Sequence, residues 1–293
     1  MSRPRERWTA PAAILFAALA FSVAGLCGEA AAPKQAKPTA GMVEETKKEL
    51  GEGFIVTVEG PFIIASDLTL TQHNRFAKGT VKACYEAYNK QYFRKRPTNV
   101  ITVYLLNGPQ SYAKYVRKTF GRDPTTPYGF YSPVGEQLVM NIRTGGGTLV
   151  HEMFHSLVKY DFPAIPSWLN EGIASLYEQC RITPKGLVGL KNWRYPGLMR
   201  GIAEGRAKPL KELMALSTDG FYGTGSGLHY AQARYFCMYL QERGLLVKFY
   251  EKFRKGVRDD PTGFASFKAV IAPQSVEEFE KALLEWEKKL GEP

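Results

Sequence analysis

Side chains that bind transition metals are scarce in this sequence. Among 293 residues, histidine and cysteine occur four times each. No two cysteines have the close Cys-x-x-Cys spacing of a structural zinc site, which excludes the cysteine-rich zinc modules. Two of the four histidines, His151 and His155, nevertheless stand only four residues apart. The few ligands present are therefore concentrated at one place in the chain.

The sequence also lacks the signs of several other protein classes. It has no internal repeat, which argues against a solenoid or propeller, and no nucleic-acid-binding motif, so no nucleic-acid partner is expected. Hydrophobic residues make up 44% and charged residues 23%, which is a globular and not a disordered composition. Lys and Arg outnumber Asp and Glu by 39 to 28. Apart from Arg94-Lys95-Arg96 the excess is spread along the chain, as on a solvated surface.

The first 30 residues have the order of a secretory signal peptide. Three arginines come before an uncharged run over residues 10–27, and small residues follow it. The run is shorter than the roughly 20 residues of a membrane-spanning helix. We therefore expect residues 1–30 to be a signal peptide, residues 31–45 a flexible linker, and the mature protein periplasmic or secreted. The alternative is a segment that stays uncleaved and anchors the protein in a membrane.

Removal of that segment takes away Cys27 and leaves three cysteines. An odd number is compatible with one disulfide and one free thiol in an oxidising compartment. Cys84 and Cys237 lie in apolar segments with helical spacing, which favours buried thiols.

The pattern of apolar residues predicts an α+β protein with its strands in the N-terminal half. β-Branched or alternating segments predict strands at residues 54–58, 62–66, 99–106 and 137–142. Helical spacing predicts helices at 71–93, 109–120, 148–159, 168–180, 228–243, 245–256 and 275–290, with pieces between 195 and 216. Three glycines and three prolines make residues 121–135 a loop. We expect one domain over residues 46–293, with an α/β part at 46–147 and a helical part at 148–293.

The chemistry is concentrated in His151-Glu152-Met153-Phe154-His155, an HExxH pattern. On a helix, residues four apart share a face, so both imidazoles can bind one ion. At about 100° per residue around the helix axis, counted from Leu149 as zero, the apolar residues of 149–158 centre near 90°. On the same scale the two histidines and Glu152 centre near 250°. The polar residues therefore face away from the apolar side, as a cleft-facing site requires.

A catalytic zinc site has three protein ligands and keeps a fourth position open. Glu171, which is 16 residues after His155, can supply the third ligand. Pro163 and Pro166 break the chain between them, so a second helix can begin near Trp168 and fold back against the first. The alternative is that Glu171 is a first-turn carboxylate that balances the helix dipole.

The HExxH motif followed by Trp-Leu-Asn-Glu-Gly resembles the gluzincins, the thermolysin-like and aminopeptidase-like zinc peptidases of the MA clan. The resemblance is close over residues 137–180 and loose over the rest of the mature chain. It implies a zincin-like fold in which His151, His155 and Glu171 bind one Zn²⁺ per chain. It also implies that Glu152 is the general base.

The resemblance further implies an edge strand just before the motif helix, to which the substrate backbone adds. The predicted strand 137–142 has that position, with Val139, Met140 and Asn141 as substrate-binding residues. The chain lacks the Gly-x-Met-Glu-Asn segment of aminopeptidases, which favours an endopeptidase. It has Ser175 where the family has an Asp, so the groups that support the ligands must differ.

The tetrahedral oxyanion of peptide hydrolysis needs a donor besides the metal. Tyr230 is the first candidate, because Tyr-Ala-Gln-Ala-Arg resembles the later tyrosine-bearing helix of small family members, and His229 is the second. Alternatively, Tyr230 packs in the core and His229 is a surface residue. Arg234 is expected to bind a substrate carboxylate or to pair with Glu178, which itself can support a zinc ligand.

The sequence therefore predicts an exported zinc-dependent peptidase that cleaves a peptide or protein substrate by means of a metal-activated water. One alternative is a catalytically inactive zinc-binding relative that acts as a cell-envelope scaffold or binding module. A second is an envelope protein in which the motif is accidental. A third is a zymogen in which residues 42–136 cover the cleft.

Overall fold

The computed structural model describes residues 34–291, which form a mixed α+β fold. A five-stranded sheet has the order β1-β2-β3-β5-β4, and a separate hairpin pairs β6 with β7. The strands are β1 (Ile55–Glu59), β2 (Phe62–Ser66), β3 (Ile101–Leu106), β4 (Gly129–Ser132), β5 (Gln137–Asn141), β6 (Cys180–Thr183) and β7 (Gly186–Gly189). The predicted signal peptide, with Cys27, lies outside the described residues.

Helices make up most of the remaining described chain. They are α1 (Ala40–Leu50), α2 (Leu70–Phe76), α3 (Ala83–Gln91), α4 (Pro109–Phe120), α5 (Gly147–Asp161), α6 (Ser167–Tyr177), α7 (Tyr195–Ala203), α8 (Leu210–Met214), α9 (Thr218–Tyr222), α10 (Ser226–Glu242), α11 (Leu246–Gly256), α12 (Phe264–Ile271) and α13 (Val276–Lys289). A π-helical segment, Ala77–Lys82, joins α2 to α3. No helix of residues 34–291 has the length and apolar character needed to cross a membrane.

The motif helix α5 lies on one face of the sheet and shares a core with it. Leu149, Met153 and Leu157 of α5 are buried in the same cluster as Val103 and Leu138 of the sheet. Helix α4 covers the opposite face in a second, smaller cluster. The sheet of the N-terminal part therefore supports the motif helix from its apolar side.

The predicted edge strand is in the interior of the sheet. β5 pairs in parallel with β3 and antiparallel with β4, so its backbone has partners on both sides. Val139, Met140 and Asn141 are at most 3% exposed. These three residues therefore cannot add a substrate strand, and their prediction as substrate-binding residues is wrong. The edge beside the motif helix is β4, which lies in the segment predicted to be a loop.

Two further expectations need correction. The linker expected at residues 31–45 already contains helix α1 from Ala40 onward, and Gln35 accepts a hydrogen bond from Tyr85. The part expected to be helical includes the β6–β7 hairpin. Cys84, Cys180 and Cys237 are free thiols, and Cys84 and Cys237 are buried as predicted.

A buried carboxylate fixes the C-terminal end of the motif helix. Asp161 accepts the backbone N–H groups of Arg94 and Lys95 at 2.7 and 3.0 Å and the hydroxyl of Tyr250 at 2.9 Å. Arg254 completes the set with an ion pair at 2.5 Å. The charge is fully hydrogen-bonded, which is the condition under which a buried ion pair holds elements together.

Glu287 on α13 is a buried carboxyl for which residues 34–291 supply no such ion pair. It is 6% exposed and lines a cleft of about 190 Å³ with Leu198, Ile202 and Leu283, together with Lys208 and Glu280 at the rim. Burial raises its pKa to about 8. The folded protein therefore keeps a proton there that the unfolded chain releases near pH 4.5.

We expect the free energy of unfolding to fall as the pH rises from about 4.5 to about 8, because the folded state binds more protons than the unfolded state in this window. Glu287→Gln should remove this pH dependence. Its free energy of unfolding should exceed that of the wild type by on the order of a few kcal/mol at pH 8.5, and the two proteins should be about equally stable at pH 4.5. Urea unfolding at both pH values measures the difference. Glu285→Gln, at an exposed position on the same helix, is the control, and an equal pH response in all three proteins would contradict the assignment.

Candidate metal centre

The three predicted metal ligands lie together where α5 meets α6. His151 Nε2 is 3.0 Å from His155 Nε2 and 3.2 Å from Glu171 Oε2, and His155 Nε2 is 3.5 Å from the same oxygen. All three ligand atoms fall within 4.8 Å of one another, and the group is mostly buried. The three residues together could hold one metal ion.

Two glycines allow the helices that carry the site to approach closely. A Cβ atom on Gly147, at the start of α5, would lie 2.3 Å from the carbonyl oxygen of Glu178. A Cβ on Gly172, one residue after Glu171, would lie 2.9 Å from Cys237 Sγ on α10. Both distances are too short for any side chain, so glycine at these positions sets how near α5, α6 and α10 can come.

Polar partners on the far sides of the imidazoles leave their Nε2 atoms facing the site. His155 Nδ1 donates to Asn170 Oδ1 at 2.9 Å. His151 Nδ1 lies 3.2 Å from Glu178 Oε1 as an ion-pair contact without hydrogen-bond geometry. Glu178, seven residues after Glu171, therefore lies where a residue that supports this ligand is expected.

The donor set fits a divalent cation. Two Nε2 lone pairs and a carboxylate oxygen converge, and Glu171 Oε2 is buried with no hydrogen-bond donor among residues 34–291. Acceptor atoms at such distances repel one another unless a proton or a metal cation lies between them. Imidazole and carboxylate ligands in this number suit zinc and several other divalent metals.

The electrostatics of the site favour a bound cation. Burial alone lowers the pKa of His151, but the hydrogen bonds and charges of Glu171 and Glu178 raise it to about 10. Burial alone raises the pKa of Glu171, yet the nearby histidines hold it well below its usual range. Glu171 is therefore ionised, and the group of acceptors attracts positive charge.

Glu152 lies beside the ligands and contacts the sheet edge. Its Oε2 accepts the backbone N–H of Tyr131 on β4 at 3.0 Å. Burial raises the pKa of Glu152, and the neighbouring histidines partly offset this effect. A carboxylate held by an edge strand and poised by burial is well placed to exchange protons.

A second polar network fixes the edge strand itself. Glu136, in the β4–β5 turn, accepts the hydroxyls of Tyr131 at 2.5 Å and Tyr160 at 2.9 Å, and it pairs with Lys159. Tyr160 and Lys159 are on α5, so the network ties the hairpin to the motif helix. Glu136 has a φ of 54°, a left-handed conformation that a residue with a side chain rarely adopts. The carboxylate network compensates for this strain.

Two tyrosines of the helical part, Tyr222 and Tyr230, lie near Glu171. Tyr222, at the end of α9, donates its hydroxyl to Glu171 Oε1 at 2.6 Å. Tyr230, on α10, packs 6.2 Å from the Tyr222 ring, and Glu171 contributes to raising its pKa, after burial. The structure thus brings the predicted Tyr230 to the site. Sequence reasoning missed Tyr222, because no motif marks a tyrosine 51 positions after its partner.

Two other predicted site residues have structural roles. His229 is 5% exposed, and its Nδ1 donates to the carbonyl of Phe221 at 3.0 Å. Arg234 is fully buried and donates to the carbonyls of Ser175 at 3.0 Å and Leu190. Neither the substrate carboxylate nor the Glu178 ion pair expected for Arg234 is possible there. Arg194 pairs with Glu178 instead, at 2.8 Å.

No model of a known protein family matches this chain, and no curated protein is significantly similar to it. Function is therefore inferred from the fold and the geometry of the site. Together they define a mixed α+β protein with a buried His-His-Glu group that could hold a metal ion.

We expect Glu178→Gln to weaken metal binding by about 10–100-fold, because the residue orients His151 without being a ligand. Glu171→Ala should abolish stoichiometric binding, since it removes one of three ligands. Zinc titration against a chromophoric chelator measures both. Glu204→Gln, at an exposed position, is the control. Unchanged affinity in Glu178→Gln would contradict the supporting role.

Proposed function

We propose that this chain is a zinc-dependent peptidase of the gluzincin type, exported from the cell, with an endopeptidase activity. The observation that carries the proposal is the convergence of His151, His155 and Glu171 beside Glu152. A purely structural metal site would be closed by a fourth protein ligand. Here the fourth group is the carboxylate of Glu152, which β4 holds beside the ligands through the Tyr131 N–H. A hydrolytic site needs such a carboxylate as its general base.

A bound zinc would polarise the scissile carbonyl and make a water molecule more acidic at neutral pH. The chain's own residues supply the remaining chemistry. Glu152 takes a proton from the attacking water and delivers it to the leaving amine. Asn170 and Glu178 keep the imidazole lone pairs directed at the site.

The open edge of β4 is suited to bind the substrate backbone. β4 pairs with β5 on one side only. The outward N–H of Tyr131 is already bonded to Glu152, so a peptide must pair with the other backbone groups of this edge. An extended peptide can add to such an edge through main-chain hydrogen bonds. This assigns to Gly129–Ser132 the role that the sequence suggested for residues 139–141.

The two tyrosines divide the roles on the other side of the site. Tyr222 has its proton committed to Glu171, so it acts as a support of that ligand. Tyr230 lies beside the same carboxylate, and Arg194 covers its ring at 5.0 Å. We assign Tyr230 as the donor to the developing oxyanion.

Glu152→Gln should lower the kcat for peptide hydrolysis by about 10²–10⁴-fold while leaving one metal per chain, because the base is lost and the ligands remain. A quenched fluorescent peptide mixture and metal analysis of the mature protein measure the two quantities. Glu204→Gln is again the control. A wild-type protein that binds zinc and cleaves nothing would instead identify the catalytically inactive scaffold or binding module.

Tyr230→Phe should lower kcat by about 10²-fold without changing zinc affinity, as loss of an oxyanion donor does. Tyr222→Phe should act mainly on zinc affinity, because its hydroxyl bonds a ligand. Steady-state kinetics at saturating zinc and the chelator titration separate the two effects. The assignment fails if the two variants exchange these phenotypes.

A further inference from the structure

The largest exposed apolar side chain of the described residues is close to the candidate metal centre. Trp193 is 71% exposed, in the turn between β7 and α7. One exposed apolar side chain needs no explanation by itself, but a tryptophan linked to a candidate site offers a large, amphipathic contact surface there. The mechanism proposed above makes no use of it.

Two side chains, Arg194 and Glu178, link the Trp193 ring to the metal ligands. The guanidinium carbon of Arg194 stacks 4.3 Å from the centre of the Trp193 ring. Arg194 donates to both oxygens of Glu178, at 3.1 and 2.8 Å, and Glu178 lies 3.2 Å from His151. An extended peptide advances about 3.3 Å per residue, so the ring is within reach of a few substrate residues.

The turn fixes the backbone that carries the ring before any ligand binds. Asn192 donates its backbone N–H to the Tyr235 hydroxyl at 3.2 Å and its side-chain amide to Glu178 at 3.3 Å. Its side-chain oxygen accepts the backbone N–H of Arg194 at 3.0 Å. Trp193 is therefore anchored through its neighbours on both sides, and binding costs little conformational entropy.

The charge pattern selects the kind of group that the ring can receive. The guanidinium of Arg194 is neutralised by Glu178 and lies between the rings of Trp193 and Tyr230. It therefore does not offer a free cation to an anionic group. The remaining exposed surface of Trp193 is a flat apolar one, which favours stacking with an aromatic or large aliphatic side chain.

We propose that Trp193 is a substrate subsite that binds a large apolar side chain, preferably aromatic, within three residues of the bond to be cleaved. The proposal rests on the peptidase function proposed above. It adds a substrate preference: peptides with an aromatic residue near the cleavage point, in an extended conformation between β4 and the Trp193 turn.

The test measures binding without turnover, in zinc-loaded Glu152→Gln protein. The probes are decapeptides of Gly, Ala and Ser with one Phe moved through each position, and the same peptide without Phe. Tryptophan fluorescence reports binding, with Trp193→Phe identifying the contribution of this ring. We expect Phe at one or two positions to tighten binding by about tenfold.

Trp193→Ala should abolish that preference while keeping zinc content, and Trp193→Tyr should retain part of it. Ile182→Ala, at a half-exposed apolar position on β6, is the matched control. An equal preference for Phe in Trp193→Ala overturns the proposal, as does the absence of peptide binding. It is also overturned if anionic phospholipid vesicles alone shift the Trp193 emission, which would make the ring a membrane contact. If binding depends on Trp193 but the wild-type protein hydrolyses none of the peptides, the subsite is retained and the peptidase function is rejected.

Discussion

The structure around the candidate site depends on a positive charge among three converging groups. The ligand atoms of His151, His155 and Glu171 lie within 3.0 to 3.5 Å of one another. Without a proton or a metal ion among them this arrangement is unfavourable. The side chains are restrained from turning apart, because Asn170 is hydrogen-bonded to His155 and Glu178 is in contact with His151. The surrounding protein therefore imposes a geometry whose energy is favourable only when a positive charge is bound.

That constraint explains features of the chain far from the ligands. The Glu178 carboxylate beside His151 is only partly exposed, and His151 and Arg194 together hold its pKa at about 2. Arg194 then needs a fixed position, which the Asn192 turn supplies. Gly147 permits the start of the motif helix to contact the Glu178 backbone. Glu178, Arg194 and the Asn192 turn thus all help to keep the His151 imidazole in one orientation.

Local sequence predicted the parts of this site that neighbouring residues decide. The four-residue spacing placed His151 and His155 on one face, and helix α4 has the predicted bounds of residues 109–120. Pairing partners were not predictable in the same way. Residues 121–135 are rich in Gly and Pro and read as a loop, yet Gly129–Ser132 forms a strand because β5 pairs with it.

Contacts between distant segments were also unpredictable for Arg234, whose expected pairing with Glu178 is wrong. Arg234 and Arg194 are both near Glu178 in the fold, and only Arg234 was expected to pair with it. Arg234 does not pair with Glu178, because it is enclosed in the core and donates its guanidinium N–H groups to backbone carbonyls. Desolvation lowers the pKa of Arg234 to about 10. Arg194 reaches the carboxylate from a turn beyond the β6–β7 hairpin, and no local pattern predicts such a return. Tyr222 reaches Glu171 in the same way.

The supports of the base and of the ligands belong to different parts of the fold. Glu152 is held by Tyr131, whose strand is tied to α5 through Glu136 and Lys159. Glu171 is held by Tyr222, which belongs to the helical part. A disturbance of the β4 hairpin therefore acts first on Glu152, whereas a disturbance of α9 acts first on Glu171. Because Glu152 shares helix α5 with His151 and His155, proton transfer and metal binding stay coupled through this helix, and Glu171 is the ligand that can be changed with least effect on the base.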